Sequence, residues 1–453
     1  MLGALAWPLI MTLPACGTAP VPQAPDGSWR SRLDAELEAL VADPGHPVLS
    51  VSALVRRDGR VSYQHQIGLA RVGDGGRPGG PADRPVGPRT LFRVASISKL
   101  VVTLGVLRLV EQGRLALDAD VGRVLGWPLR NPRHPSVPIT LRLLLSHRSS
   151  LMDGDGEIYG WGADVDLREV LMPVGTHHRD FAHWQAAHAP GTWFRYANLN
   201  FGVIATVMEA ATGERFDRLM QRHVLDPLGL RGGFEPALFP RADIDEVATM
   251  YRKRREVDGR EVWNPAGPWV AQADDFAAAP PVPPRGLDRY RVGSNGTLFG
   301  PQGRLRISLP DLGVVMRMLL DEGRHAGQAF LQPASVQELH RELWRYDAAR
   351  PNGQSWRDGA QSWGLGAQRF VDISGDGRGD RLVEGGGLTG YGHLGDAYGM
   401  MAVFALDPAR RHGVVLLITG PGVDPAGLPP KWSALYRWQE LALTSIWRHA
   451  LRR

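Results

Sequence analysis

The chain has 453 residues, 43% hydrophobic and 22% charged, a composition that excludes a disordered protein and leaves ample apolar material for a core. A formal charge of +5 is spread over 52 Lys and Arg interleaved with 47 Asp and Glu; the one basic block is Arg252-Lys253-Arg254-Arg255, so a nucleic-acid partner is not expected. The single cysteine, Cys16, excludes an intramolecular disulfide.

In chain order, residues 1–16, MLGALAWPLIMTLPAC, form an apolar run too short to span a bilayer and ending in Leu-Pro-Ala-Cys. The run resembles a bacterial lipoprotein signal, although it lacks the usual basic start. On that reading residues 1–27 are signal and Pro-rich linker, Cys16 is lipidated, and the protein is exported, periplasmic or anchored to the membrane by lipid alone. SWRSRLDAELEALVADPG (28–45) has a Ser start, helical apolar spacing and a Pro-Gly stop, which predict a helix. VLSVSALVRRDGRVSYQHQIGLA (48–70) reads as two strands about the turn Asp58-Gly59. After a Gly/Pro loop, residues 96–112 form an apolar helix, and ITLRLLLSHRSSL (139–151) a shorter one. Helices are also predicted over 201–213, 215–230 and 308–323, the last capped by Ser308 or Asp311. Residues 231–300 carry little periodicity and read as a long wall or lid. MMAVFALDP (400–408) and GVVLLITG (413–420) read as paired strands, and 433–453 as a closing amphipathic helix.

Strands near both ends and helices between them imply an α+β fold. An antiparallel sheet built from both termini is covered by terminal helices and stands beside an inserted, mainly helical lobe. The boundaries expected are a single domain over 28–453, with the sheet-bearing lobe about 28–130 and 360–453 and the helical lobe about 131–359. A site belongs in the cleft between the lobes.

Chemistry points to LFRVASISKL (91–100). The chain contains only three lysines, Lys99, Lys253 and Lys431, and otherwise uses arginine. An arginine cannot give up its proton, whereas a desolvated lysine can, so Lys99 reads as a base. It lies three helical positions after Ser96, which puts both on one face at a helix start, where an amine could take the serine proton. The alternative is a capping serine beside a surface lysine.

LFRVASISK, its helix and the following ITLRLLLSHRSSL resemble the serine β-lactamase and penicillin-binding superfamily, specifically its class C-like group. The resemblance implies two further motifs. PGTWFRYANLNFG (190–202) supplies Tyr196-Ala197-Asn198, with Tyr196 sharing proton transfer with Lys99 and Asn198 bonding the substrate amide. GHLGDAYGMMAVF (392–404) supplies His393-Leu394-Gly395, with His393 lining the cleft and Gly395 letting a substrate backbone lie against the strand. It further implies an oxyanion hole from the backbone N–H groups of Ser96 and Asp396. Residues 293–323 are also in the family's style, whereas 231–290 match nothing in it.

Competing sites are weaker. His177, His178, His183 and His188 fit no metal-ligand spacing, with Asp180 the only carboxylate close by. Residues 372–380, DISGDGRGD, space their oxygens like a calcium loop but place Val383 where glutamate is needed, so a polar turn fits better. G-x-S-x-G is not found. The sequence therefore implies a cofactor-free serine hydrolase, expected to be monomeric, that acts on a small-molecule or peptide substrate through an acyl-enzyme. His-x-Gly favours a D-Ala-D-Ala carboxypeptidase-like or esterase activity; a β-lactamase is the alternative, and a non-catalytic penicillin or peptidoglycan sensor the alternative of another class.

Overall fold

The computed structural model describes residues 28–156, 158, 160–179 and 182–452; the lipidation expected at Cys16 and the carboxylate of Asp180 lie outside them. Nine strands make the central sheet: β1 Val48–Arg57, β2 Arg60–Arg71, β3 Arg84–Pro85, β4 Trp344–Arg345, β5 Ser362–Trp363, β6 Gln368–Phe370, β7 Gly390–Ala397, β8 Met400–Asp407 and β9 His412–Pro421. Their order is β4-β5-β6-β7-β8-β9-β1-β2-β3, and every pairing is antiparallel. The β1–β2 hairpin turns at Asp58 and Gly59, both at positive φ, as a tight two-residue turn requires.

Five helices matter for the site: α1 Trp29–Ala42, α2 Ile97–Glu111, α3 Leu199–Thr212, α4 Leu309–Leu320 and α5 Arg437–Ile446. Strand β8 shows why the sheet lies between two helical layers. Met400, Ala402, Phe404 and Leu406 face a core shared with α2, α3 and α4, while Met401, Val403 and Ala405 face α1 and α5. A strand covered on both faces must be apolar at every position, so MMAVFAL runs without alternation. Each large aliphatic or aromatic side chain buried this way contributes about 1.5–3 kcal/mol.

Helix α1 begins at Ser28, whose hydroxyl accepts from the Ser31 N–H, and α4 at Ser308, which accepts from the Asp311 N–H. The sheet-bearing part reaches further into the middle of the chain than residues 28–130 and 360–453. Strand β4 belongs to the sheet, and α4 packs on β1 and β9, although both fall within 131–359. Apolar faces, not position in the chain, assign these elements. The helix expected over 139–151 spans only Leu141–Leu145, because His147 and Ser150 take positive φ and turn the chain back. The closing helix starts at Arg437 rather than 433. Within 231–300, Arg254–Val257 and Arg260–Trp263 form a hairpin, and Met250–Arg252 pairs with Val270–Ala273.

The polar segments set aside above have local partners. His178 and His183 contact the Val170 and Met152 carbonyls, and His188 stacks on Trp193 with ring centroids 4.1 Å apart. In the 372–380 loop, Asp380 accepts the N–H groups of Val371 and Ile373 at 2.7 and 2.8 Å, and Asp372 pairs with Arg381. Its carboxylates tie the turn together.

Candidate active site

The three motifs meet at one cleft of about 590 Å³, lined by Ser96, Tyr196, Asn198 and His393. Ser96 caps α2 and is half-buried, open to the cleft. It follows Ala95 at φ 47°, an unfavourable backbone setting for a residue with a Cβ. The turn is held from several sides. Val94 N–H donates to the Leu305 carbonyl at 3.1 Å, and the Ser98 hydroxyl to the Ala95 carbonyl at 2.6 Å. Backbone N–H donors inside the turn are Ile97, Ser98 and Lys99; among the described residues none of these bonds uses the Ser96 N–H.

Lys99 lies one helical turn on and is fully buried. Its Nζ is 2.9 Å from Ser96 Oγ, 2.8 Å from Asn198 Oδ1 and 2.8 Å from the Gln302 carbonyl oxygen. Burial holds the amine down at about 7, against the nearby Asp153 charge, which pulls the other way. The Tyr196 ring centroid is 4.9 Å from Nζ. Tyr196 itself stacks on the His147 imidazole, centroids 4.3 Å apart. Asn198 Nδ2 donates to Asp153 Oδ2 at 2.9 Å, and the other Asp153 oxygen accepts the Leu199 N–H at the start of α3.

His393 sits on β7, not in a turn, and is buried. Its Nδ1 is 2.6 Å from the Leu394 carbonyl, which can only accept, so Nδ1 carries the proton and Nε2 the lone pair. Burial, with the Lys99 charge, holds this imidazole down at about 3, so it is neutral. His147 is the opposite tautomer: Nδ1 accepts the Ala197 N–H at 3.2 Å, and burial keeps its ring neutral as well.

Gly395 also meets a packing need. A Cβ there would lie 2.6 Å from the Val94 carbonyl oxygen and 3.5 Å from the Ala95 Cβ. The glycine lets β7 pass directly against the turn that presents Ser96. Strand β6 pairs only with residues 390–392, so among the described residues 393–397 have a β partner on the β8 side alone. The Asp396 side chain accepts from Tyr436 at 2.7 Å and also lines the cleft.

The sequence did not single out Asp153, His147, the Gln302 carbonyl or Trp363, whose edge faces His393 with centroids 5.5 Å apart. SHRSSLMD (146–153) carried the only hint: a polar cluster directly after an apolar helix.

The chain is similar to several known hydrolases. Esterase EstB of Burkholderia gladioli is 35% identical over 254 residues, 53% of this chain and 60% of the esterase. The D-alanyl-D-alanine-carboxypeptidase/endopeptidase AmpH of Escherichia coli (strain K12) is 27% identical over 192 residues, 40% of this chain and 43% of AmpH. The chain thus spans less than two thirds of either relative. The solved structure of EstCE1, a hydrolase with promiscuous acyltransferase activity, superposes with a TM-score of 0.58 at 21% identity, covering 93% of this chain and 99% of that one, and so shares its fold. The Beta-lactamase family model matches residues 33–434, nearly the whole described chain and all three motifs, and the protein belongs to the β-lactamase family.

Proposed function

We propose that the protein is a serine hydrolase working through an acyl-enzyme on amide or ester bonds, with D-Ala-D-Ala carboxypeptidase-like or esterase activity. One observation carries this reading. A neutral lysine amine has two N–H bonds and one lone pair, and Lys99 has three polar neighbours. Two of them, the Gln302 carbonyl and Asn198 Oδ1, only accept, so they take both N–H bonds. The lone pair is left for the Ser96 hydroxyl.

Ser96 Oγ then attacks the substrate carbonyl carbon while its proton passes to Lys99 Nζ. The oxyanion lies against the N–H groups of Ser96 and Asp396, at the N-terminus of α2. The tetrahedral intermediate collapses, the leaving nitrogen or oxygen takes a proton by way of Lys99 and Tyr196, and water later releases the acyl group by the reverse path. Neutral His393 offers Nε2 to the substrate as an acceptor, and the open side of residues 393–397 suits a substrate backbone laid alongside. The names of EstB and AmpH support the pairing of ester and D-peptide substrates.

The test is a panel of p-nitrophenyl esters, D-Ala-D-Ala peptides, nitrocefin and a fluorescent penicillin on wild type and Ser96→Ala. Hydrolysis of ester or D-peptide that vanishes in Ser96→Ala is the expected result. Dominant nitrocefin turnover would make the protein a β-lactamase, and labelling without turnover a sensor; either would overturn the proposal. Export with a lipid on Cys16, and action as a monomer, complete the reading. Mass spectrometry of the membrane fraction and sedimentation of the purified protein test them.

A further inference from the structure

Asparagine at position 198 presents a carbonyl oxygen or an amino group to Lys99 according to how its amide is turned. Isolated, the two orientations differ little, but their chemical consequences are opposite. With Oδ1 forward, Asn198 takes an N–H of the amine and leaves the lone pair to Ser96. With Nδ2 forward, it donates and competes with Ser96 for the lone pair. The choice is made behind it. Asp153 has no proton to donate, so the amide group facing it must be Nδ2. The other Asp153 oxygen is committed to the Leu199 N–H at 2.8 Å, which fixes the carboxylate at the start of α3.

We propose that Asp153 is a positioning residue that aims the lysine base: by accepting from Asn198 Nδ2 it turns Oδ1 toward Lys99 and so directs the amine lone pair at Ser96. The inference rests on the acyl-enzyme reading above. The titratable groups that face Lys99 are the Tyr196 phenol ring, the neutral imidazoles of His147 and His393, and Asp153 itself, whose charge favours the ammonium form.

Asp153→Asn reverses the hydrogen-bond order at nearly constant shape. The new carbonyl oxygen can keep the Leu199 N–H, its amino group then meets Asn198, and Asn198 turns Nδ2 toward Lys99. Two readouts should move in directions that usually oppose each other. With the charge gone, the Lys99 titration falls by about one unit, so more amine is neutral. Yet acylation at pH 9, where the amine is neutral in either protein, slows by roughly tenfold or more, because the lone pair points elsewhere. Because the chain has only three lysines, side-chain ¹³C-lysine NMR can follow Lys99 directly, assigned with Lys99→Arg. That titration needs no substrate, so it stands even if the acyl-enzyme reading fails. Asp153→Ala removes the acceptor behind Asn198 without putting a donor in its place. It should lower the titration similarly but slow acylation less than Asp153→Asn, although it also loses the cap on α3. Acylation at pH 9 unchanged in Asp153→Asn, or slower in Asp153→Ala than in Asp153→Asn, overturns the proposal. Should Asp153→Asn fail to fold, acylation at pH 9 in Asp153→Ala decides: a rate below wild type supports the proposal, and a wild-type rate overturns it.

Discussion

Replacing Lys99 by methionine should abolish acylation and make the protein more stable near neutrality. The amine is fully buried and its ordinary value of 10.5 falls to about 7. One pKa unit is worth about 1.4 kcal/mol, so the buried ammonium costs the fold about 4–5 kcal/mol at low pH. The folded value lies below the unfolded one. Between about pH 7 and 10.5 the unfolded chain therefore holds a proton that the folded chain lacks, and stability from this group rises with pH across that window. Below the window the cost is complete. Methionine has similar length and no charge, so it removes the pH dependence while giving up the contacts to Ser96, Asn198 and the Gln302 carbonyl. Those lost bonds shrink the advantage of the variant equally at every pH; they do not alter its slope. Urea unfolding of both proteins at pH 7, 8 and 9 should show the wild type gaining about 2 kcal/mol on Lys99→Met over that range. A difference that stays constant from pH 7 to 9 would show an amine titrating as in water, and the base assignment would go with it.

Other measurements test the same site. Acylation, read as kcat/KM, should rise with pH through about 7 and then level off, since the neutral amine is the active form. His393, neutral down to about 3, should add no second limb between pH 5 and 9. Tyr196→Phe keeps the stack on His147 and should slow acylation by roughly a hundredfold if the phenol relays protons; unchanged burst kinetics would reduce Tyr196 to packing. Gly395→Ala forces a methyl group to within 2.6 Å of the Val94 carbonyl oxygen. It should cost about 1–3 kcal/mol in thermal or urea unfolding and slow acylation, because the strained turn under Ser96 must move; wild-type stability would show that β7 has room there.

What the sequence made legible depended on short-range chemistry. Ser96 and Lys99 share one helix, so their spacing alone placed them together, and the scarcity of lysine marked the pair. The strands around 400–420 were readable because burial on both faces makes them apolar throughout. Asp153 was not readable, since its function comes from folding back 45 residues to the start of α3, and an isolated aspartate after a polar turn looks like any loop residue. Gln302 contributes a backbone carbonyl, which no side-chain pattern reveals. Strands β4, β5 and β6 have two or three residues each, too few for a period to show. The lobe boundaries slipped for a related reason: α4 has a strong apolar face, and only its partner, the sheet, decides which lobe it serves.

The pairing of β1 with β9 joins Val48 to Pro421, partners separated by most of the polypeptide. Loop-closure entropy makes such a contact slow to form, and during synthesis it must wait until β9 has been made. Meanwhile VLSVSALV has one edge bare, paired along the other with its hairpin mate β2 and covered on one face by α1. Until β9 arrives, that first strand is the edge most open to pairing with another chain.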